Sequence, residues 1–514
     1  MTQNIYDIAP YTENVYPQTH PYHLASLATL RGLNPPDINN AKILELGCAS
    51  GSNLISMAQQ TPQAELVGID YSQHQIDLAQ QKLDFCQLDN VFFKQADILQ
   101  LTEDLGQFDY IIAHGLYSWI GEKERHHLMQ LLSKLLSKNG IIYISYNILP
   151  GWQQDKTIRD LLFYHLEPVT DFSERVIQGK QLLKKLQNQL ENRFDEQSLQ
   201  FRKKLDYLID LDDDYFAHEH LEPNNYTPYF HEFMQHALQH NLQYVTDANI
   251  QFCQENYHFP DIEQIGSEFI QQEQYMDGLK NRAYRESVLC HADIELSPKI
   301  QLDQLLNKLY FTAPLQPLQT EDLFFTETCL IKTLHADVVS LVEQPFLKLV
   351  CHYLAESYPQ TLSFSELIQN IETQLSQALS SDEKQDIQQF IVDIYLQGHL
   401  KIYTQAFSHQ HKLQKALPLT RWQASRSKVV TNYFGHSYQL GLAARQILQH
   451  LDGNQQQADL VKVLWGLIET GKLKIQADDV QNAEQSLSDE TIQSFLEQTA
   501  SQILLDIEQK QLIM

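Results

Sequence analysis

The residues best suited to chemistry lie in Glu45-Leu46-Gly47-Cys48-Ala49-Ser50-Gly51-Ser52-Asn53. Gly47 and Gly51 lack a Cβ, so a ligand can lie against the backbone, and a following helix offers its N-terminal N–H groups to a carboxylate or phosphate. A glycine turn alone is weak evidence. Asp70, nineteen residues beyond Gly51, adds a carboxylate that can accept from two ribose hydroxyls. Ala96-Asp97-Ile98 adds a third acid, placed to accept from an exocyclic adenine amine while its apolar neighbours sandwich the ring. Together they predict a nucleoside cofactor. A dinucleotide fingerprint requires G-x-G-x-x-G, whereas the order here is Glu-x-Gly-x-x-x-Gly with Ala49 in the middle.

These acids need strand ends to hold them. From Ala41 to about Pro150, short apolar runs alternate with amphipathic segments, the pattern of β-α units in a doubly wound, mostly parallel sheet. The predicted strands are Lys42–Gly47, Glu65–Asp70, Val91–Asp97, Phe108–His114 and Ile141–Asn147, with a sixth at Leu242–Asp247. The predicted helix Glu122–Ser137 carries Leu128, Leu131, Leu132, Leu135 and Leu136 at helical spacing. The expected organisation is an N-terminal lid segment (1–40), a cofactor-binding domain (41–155, completed by about 223–260) and a helical insertion (156–222). A helical middle domain (261–345) and an α-rich, winged-helix-like C-terminal domain (346–514) follow. The apolar stripe of the insertion needs a partner, which predicts a homodimer unless it packs internally. In Phe364–Thr404 and Ala458–Ile475 an apolar helix leads to a glycine (Gly398, Gly471) and a short strand, the theme of winged-helix units.

The net charge of −28 argues against nucleic acid, and the cluster Arg421–Lys428 is too small to reverse that. No apolar run reaches the roughly 18 residues of a spanning helix, and the six cysteines are dispersed, so a cytoplasmic protein without membrane insertion is expected. No metal site is expected. His231 and His236 are five residues apart, about 140° around a helix, and His126, His127, His218 and His220 read as solvated side chains.

The Glu-x-Gly-x-x-x-Gly order resembles the S-adenosyl-L-methionine (AdoMet) motif of class I methyltransferases, a Rossmann-like α/β fold. Tyr16-Pro17-Gln18-Thr19-His20-Pro21, Ala113-His114-Gly115-Leu116-Tyr117-Ser118-Trp119-Ile120 and Ser145-Tyr146-Asn147-Ile148-Leu149-Pro150-Gly151-Trp152 are similar to the bacterial methyltransferases that carry a methyltransferase regulatory domain. The likeness continues through Tyr229–Ala248, Glu273–His291, Arg421–Gln423 and Leu451–Gly453. Members of that family include protein-lysine methyltransferases that modify outer-membrane proteins.

The resemblance implies that Glu45 lies under the methionine amine, Asp70 holds the ribose and Asp97 meets the adenine. The expected cofactor-binding set is Tyr16, Gln18, His20, Glu45, Gly47, Cys48, Ala49, Gly51, Asn53, Asp70, Tyr71, Ala96, Asp97, Ile98 and His114. Methyl transfer is an in-line displacement, so the acceptor amine must be deprotonated and desolvated, which aromatic side chains can promote. His114, Tyr117, Trp119 and Tyr146 are therefore the expected catalytic residues, and Tyr117, Trp119, Asn147 and Trp152 the expected acceptor channel. The leading expectation is methylation of lysine on a protein substrate. The alternatives are a small molecule or another protein side chain as acceptor, or a non-catalytic AdoMet-binding regulator.

Overall fold

The computed structural model describes residues 14–249, 265–266, 268–297, 299–317, 329–333, 336–342, 344–407, 415–473 and 489–513. Its centre is a seven-stranded sheet. The strands are β1 (Lys42–Leu46), β2 (Glu65–Asp70), β3 (Val91–Gln95), β4 (Phe108–Ala113), β5 (Leu136–Asn147), β6 (Leu242–Asp247) and β7 (Tyr284–His291), in the order β3-β2-β1-β4-β5-β7-β6. Six strands run in one direction, and β7 runs antiparallel to them between β5 and β6. The order reverses between β1 and β4, the switch point at which ligands bind in open α/β sheets.

Side chains alternate between the two faces. Ile43, Leu66, Tyr110, Ile112 and Tyr143 pack with the helix Pro21–Leu30, while Leu44, Ile111, Ile142 and Ile144 pack with Leu128, Leu131, Leu132 and Leu135 of the helix Glu122–Leu135.

Three expectations need correction. The region from about Pro260 to Leu341 is not purely helical. It contributes β7 and the strands Tyr310–Thr312, Leu315–Pro317, Cys329–Thr333 and Ala336–Val342. Polar Arg285, Glu286 and Ser287 obscure β7 in the sequence, yet all three are buried and their charges are met inside the fold. The guanidinium of Arg285 donates to Asp277 at 2.9 Å and to Glu273 at 2.8 Å, over the ring of Phe230, and Arg282 pairs with Asp247.

The expected boundary at 345/346 cuts through one unit. Tyr310–Thr312 is the middle strand between Leu362–Ser363 and Lys401–Tyr403, with the helices Pro345–Ser357, Phe364–Leu375 and Ser381–Leu396 around it. A second unit has the helices Pro418–Arg426, Leu442–His450, Gln457–Glu469 and Asp489–Gln509 and the hairpin Val429–Thr431/Ser437–Gln439. Lys472 and Leu473 are in no strand, and the remainder of the expected strand Lys472–Ile475 lies outside the described residues.

The insertion also departs from its reading. Its helices Gln153–Leu166, Phe172–Gln189, Glu196–Asp210 and Asp213–Leu221 bury their stripes against one another through Ile158, Leu162, Leu183, Leu205, Leu208 and Phe216. The apolar stripe is thus covered within the chain, and the ground for expecting a homodimer falls away. His218 and His220 are buried in this arrangement, not solvated, because Asp213–Leu221 is enclosed on more than one side.

Candidate active site

The glycine turn at the end of β1 has the backbone that the sequence requires. Gly47, Ala49 and Gly51 have φ of 75°, 45° and 76°. A Cβ on Gly51 would lie 2.5 Å from Phe93 Cζ, so a side chain there would have to displace the Phe93 ring as well as hold a left-handed backbone. The turn is held from both sides. Asp70 accepts from Ala49 N at 2.8 Å and from Ser72 N at 2.9 Å, and the fully buried Lys82 donates to Ser50 O, Ser50 Oγ and Ser52 Oγ. Cys48 is buried beneath the turn.

Glu45 projects from β1 into the space below. Its Oε1 accepts from Asn53 Nδ2 at 2.7 Å, and its buried Oε2 has no partner. Burial, reinforced by the nearby Asp70, raises its pKa to about 8, against the smaller opposing effect of Asn53. A buried carboxylate oxygen without a donor fits a bound ammonium. Asp70 has acceptor capacity beyond its two N–H bonds, and Tyr71 beside it is exposed. Asp97 caps the turn Ile98–Gln100 through Leu99 N at 2.9 Å, and Ala96, Asp97 and Ile98 are only half-buried. These residues fit the methionine, ribose and adenine ends of AdoMet in turn.

The segment before the sheet closes over this site. Tyr16 N donates to Asn53 Oδ1 at 2.9 Å, and Asn53 Nδ2 also reaches Thr19 Oγ1 at 3.0 Å, so Asn53 joins the lid segment to Glu45. The Tyr16 ring lies 3.7 Å from that of His114. Gln18 Nε2 donates to Glu286 Oε1 at 2.8 Å, and Tyr143 OH donates to the same oxygen at 2.8 Å. His114 Nδ1 meets Tyr143 OH at 2.9 Å, completing a chain from His114 through Tyr143 and Glu286 to Gln18. Burial lowers the pKa of His114 to about 4, which leaves it neutral near pH 7. His20 instead caps the helix Pro21–Leu30 and lines a separate cavity of about 470 Å³ with His23, Glu286 and Lys401.

Profiles of three families match along the chain. These are a "Methyltransferase domain" over 38–197, a "Predicted methyltransferase regulatory domain" over 212–291 and a "PKMT, C-terminal winged helix domain" over 415–512. An uncharacterized protein of Rickettsia prowazekii is 33% identical over 495 residues, covering 94% of this chain and 90% of that one. The structure of PKMT2 from Rickettsia typhi in complex with AdoHcy superposes with a TM-score of 0.87 at 27% identity, covering 98% of this chain and 100% of that chain. The chain belongs to the AdoMet-dependent methyltransferases that carry a regulatory domain. The protein-lysine N-methyltransferase EFM4 of Saccharomyces cerevisiae is 31% identical over 116 residues, covering 21% of this chain and 51% of that one.

Not every expected site residue of the methyltransferase faces the cofactor turn. Tyr117 is buried, with its hydroxyl 2.8 Å from His236 Nδ1 and its ring against Phe233. Tyr146 stacks on Phe233, with its hydroxyl 2.8 Å from Ser287 Oγ. Both hydroxyls are engaged within the core. Trp119 is buried beneath Arg159. Asn147 Nδ2 and Trp152 Nε1 are buried without partners beyond the end of β5, and Trp152 stacks on His220.

Sequence reasoning missed Ser145, Tyr284, Glu286 and Glu219. Asn147 pairs with Tyr284 and Ser145 with Glu286 across the β5–β7 register, which brings these side chains to the same strand end. Ser145 Oγ accepts from Gly115 N at 2.8 Å and lies 3.3 Å from His114 Nδ1. Glu219 comes from the helix Asp213–Leu221, and its charge acts on Tyr16, Tyr215 and Tyr284. Burial raises its pKa to about 7, while Arg159 opposes the shift. A strand at 284–291 in the sequence reading would have exposed the first three, but nothing local marks Glu219.

Proposed function

We propose that the methyltransferase transfers methyl groups to lysine side chains of a protein, with the acceptor entering between the lid segment and the helix Asp213–Leu221. The observation that carries this reading is the charge of Glu219, which acts on Tyr16, Tyr215 and Tyr284, while the Tyr16 ring lies against His114. Aromatic faces and one acid suit a cation, and the same partly desolvated setting favours the neutral amine that must attack. Bound AdoMet supplies the electrophilic methyl. Glu45, Asp70 and Asp97 hold its methionine, ribose and adenine ends, and Tyr16 and His114 exclude water between it and the amine. Glu219, with a pKa raised to about 7, takes the amine proton, and Ser145 and Tyr143 position His114 beside the path.

The protein-lysine activity in the name of the yeast relative and the full-length likeness to PKMT2 support a protein acceptor. The exposed Tyr215, Tyr226, Tyr229 and Tyr284 offer side chains for an extended substrate segment. An outer-membrane protein met in the cytoplasm before export is the substrate this reading favours. Free, buried Cys48, Cys86, Cys290 and Cys351 accord with a reducing compartment, and no described helix is long and apolar enough to cross a membrane.

The test is transfer of labelled methyl from AdoMet to fractionated cell extract, with the modified residue identified by mass spectrometry. Label on protein lysines, strongly reduced by Glu219→Gln while AdoMet binding persists, is expected. Label confined to small metabolites or to other side chains would overturn the reading.

A further inference from the structure

On the face of the sheet that carries the helix Glu122–Leu135, three histidines converge. His126 lies in the first half of that helix, His236 in the last turn of the helix Phe230–Gln239, and His240 is that helix's C-cap. One nitrogen from each lies within 4.8 Å of the other two. We infer that His126, His236 and His240 form a binding site for a late first-row divalent ion such as zinc, clamping the two helices together.

Four observations support the inference independently of the methylation chemistry. His236 and His240 are four residues apart, the spacing that puts two imidazoles on one helical face. The third comes from a helix more than a hundred residues away, so the convergence is tertiary and not a sequence run. His240 Nε2 is buried with no hydrogen-bond partner, an acceptor that a metal would satisfy. The ring of His236 is fixed through Nδ1 on Tyr117 OH at 2.8 Å, leaving Nε2 as the ligand nitrogen and Tyr117 as the outer partner that metal-bound histidines usually have.

The nearest cation is turned aside: the Arg125 guanidinium lies 4.0 Å from the centre of the Tyr226 ring and donates to Ile120 O. Ligation at about 2.0–2.1 Å requires the three nitrogens to draw together by up to about 1.5 Å, within the reach of rotamer adjustment. An all-imidazole set suits zinc, nickel or copper and not magnesium or calcium. The fourth position is left for water. Because Tyr117 follows β4 and touches His236, occupancy would stiffen the chain immediately beyond His114.

The site is tested on the full-length, tag-free chain, stripped with chelator and dialysed against zinc, with bound metal counted by elemental analysis and thermal midpoints recorded. One zinc per chain, a raised midpoint, and loss of both effects in His126→Ala and His240→Ala are expected. Tyr117→Phe should keep the stoichiometry but weaken binding by about tenfold. His126 is exposed, so its alanine variant should fold, and the midpoint of the metal-free protein checks that it does. No stoichiometric zinc in the wild type, or equal binding in His126→Ala and His240→Ala, would overturn the inference. Magnesium serves as the probe that should neither bind nor stabilise.

Discussion

Glu45 shows how one buried carboxylate couples cofactor binding to protons. With no partner on Oε2, it keeps its proton up to about pH 8 in the free enzyme, and pairing with an ammonium requires it to ionise. Binding of AdoMet at pH 7 should therefore release a proton, seen as a dependence of the calorimetric heat on buffer ionisation. Glu45→Gln should abolish that release and weaken binding about tenfold to a hundredfold, the scale of a hydrogen bond to a charged group. An unchanged buffer dependence would show that Glu45 is not the linked group. His20 gives a second residue-scale prediction. Burial lowers its pKa to about 3. The unfolded chain takes up this proton near pH 6.5 and the folded chain only near 3, so its contribution to stability is full above 6.5 and is lost as the pH falls below that. Asparagine preserves the N-cap that His20 provides through Tyr22 N. The midpoint of the wild type should therefore fall relative to His20→Asn between pH 6.5 and 4, whereas parallel curves would contradict the linkage.

At the scale of elements, β7 determines whether the site is complete. It is anchored by Arg285, wholly buried between Glu273 and Asp277 of the helix Phe269–Lys280. Arg285→Met would take their hydrogen-bonded cation from Glu273 and Asp277, leaving only Arg282 3.8 Å from Asp277, a loss of about 3–5 kcal/mol, readable as a lower denaturant midpoint. Transfer activity should fall with it, because Tyr284 and Glu286 share the strand with Arg285. The parallel strands were legible because apolar runs ending in Gly47, Asp70 and Asp97 follow local rules. β7 was not, since Tyr284-Arg285-Glu286-Ser287 carries two charges whose partners, Glu273 and Asp277 for Arg285 and Gln18 and Tyr143 for Glu286, lie on other elements and cannot be read from the strand itself. Tyr117 and Tyr146 illustrate the same limit. Their positions at strand ends were clear, but the turn of each ring toward Phe233 depends on the helix Phe230–Gln239, far later in the chain.

At the scale of the whole molecule, the C-terminal winged unit is docked onto the catalytic domain. Leu419 packs with Val15, Ile55 and Cys86, Trp422 meets Phe85 edge to face, and Gln60 Nε2 donates to Tyr433 O at 2.8 Å. Its arginines are spent internally: Arg421 on Gln449 O, Arg445 on Ser427 O and Arg426 over Trp422. Leu419→Asp should undock the unit, splitting thermal unfolding into two transitions while leaving the glycine turn intact. A single unshifted transition would show that docking contributes little. The unit built around Tyr310–Thr312 reaches further inward, with Ser26 of the helix Pro21–Leu30 donating to Ile402 O at 3.2 Å. Both extra units thus bear on elements next to the cofactor site.

The sequence by itself determined the cofactor. That site is built from backbone turns and acids at consecutive strand ends, and its geometry follows from a few contiguous residues, from glycine's freedom at positive φ and from a carboxylate's acceptor capacity. Only the tertiary structure decided what surrounds it. The bond between Gln18 and Glu286 spans 268 positions, Glu219 arrives from an inserted helix, and the three histidines come from two helices. The direction of such side chains is set by register and packing, which no local pattern encodes.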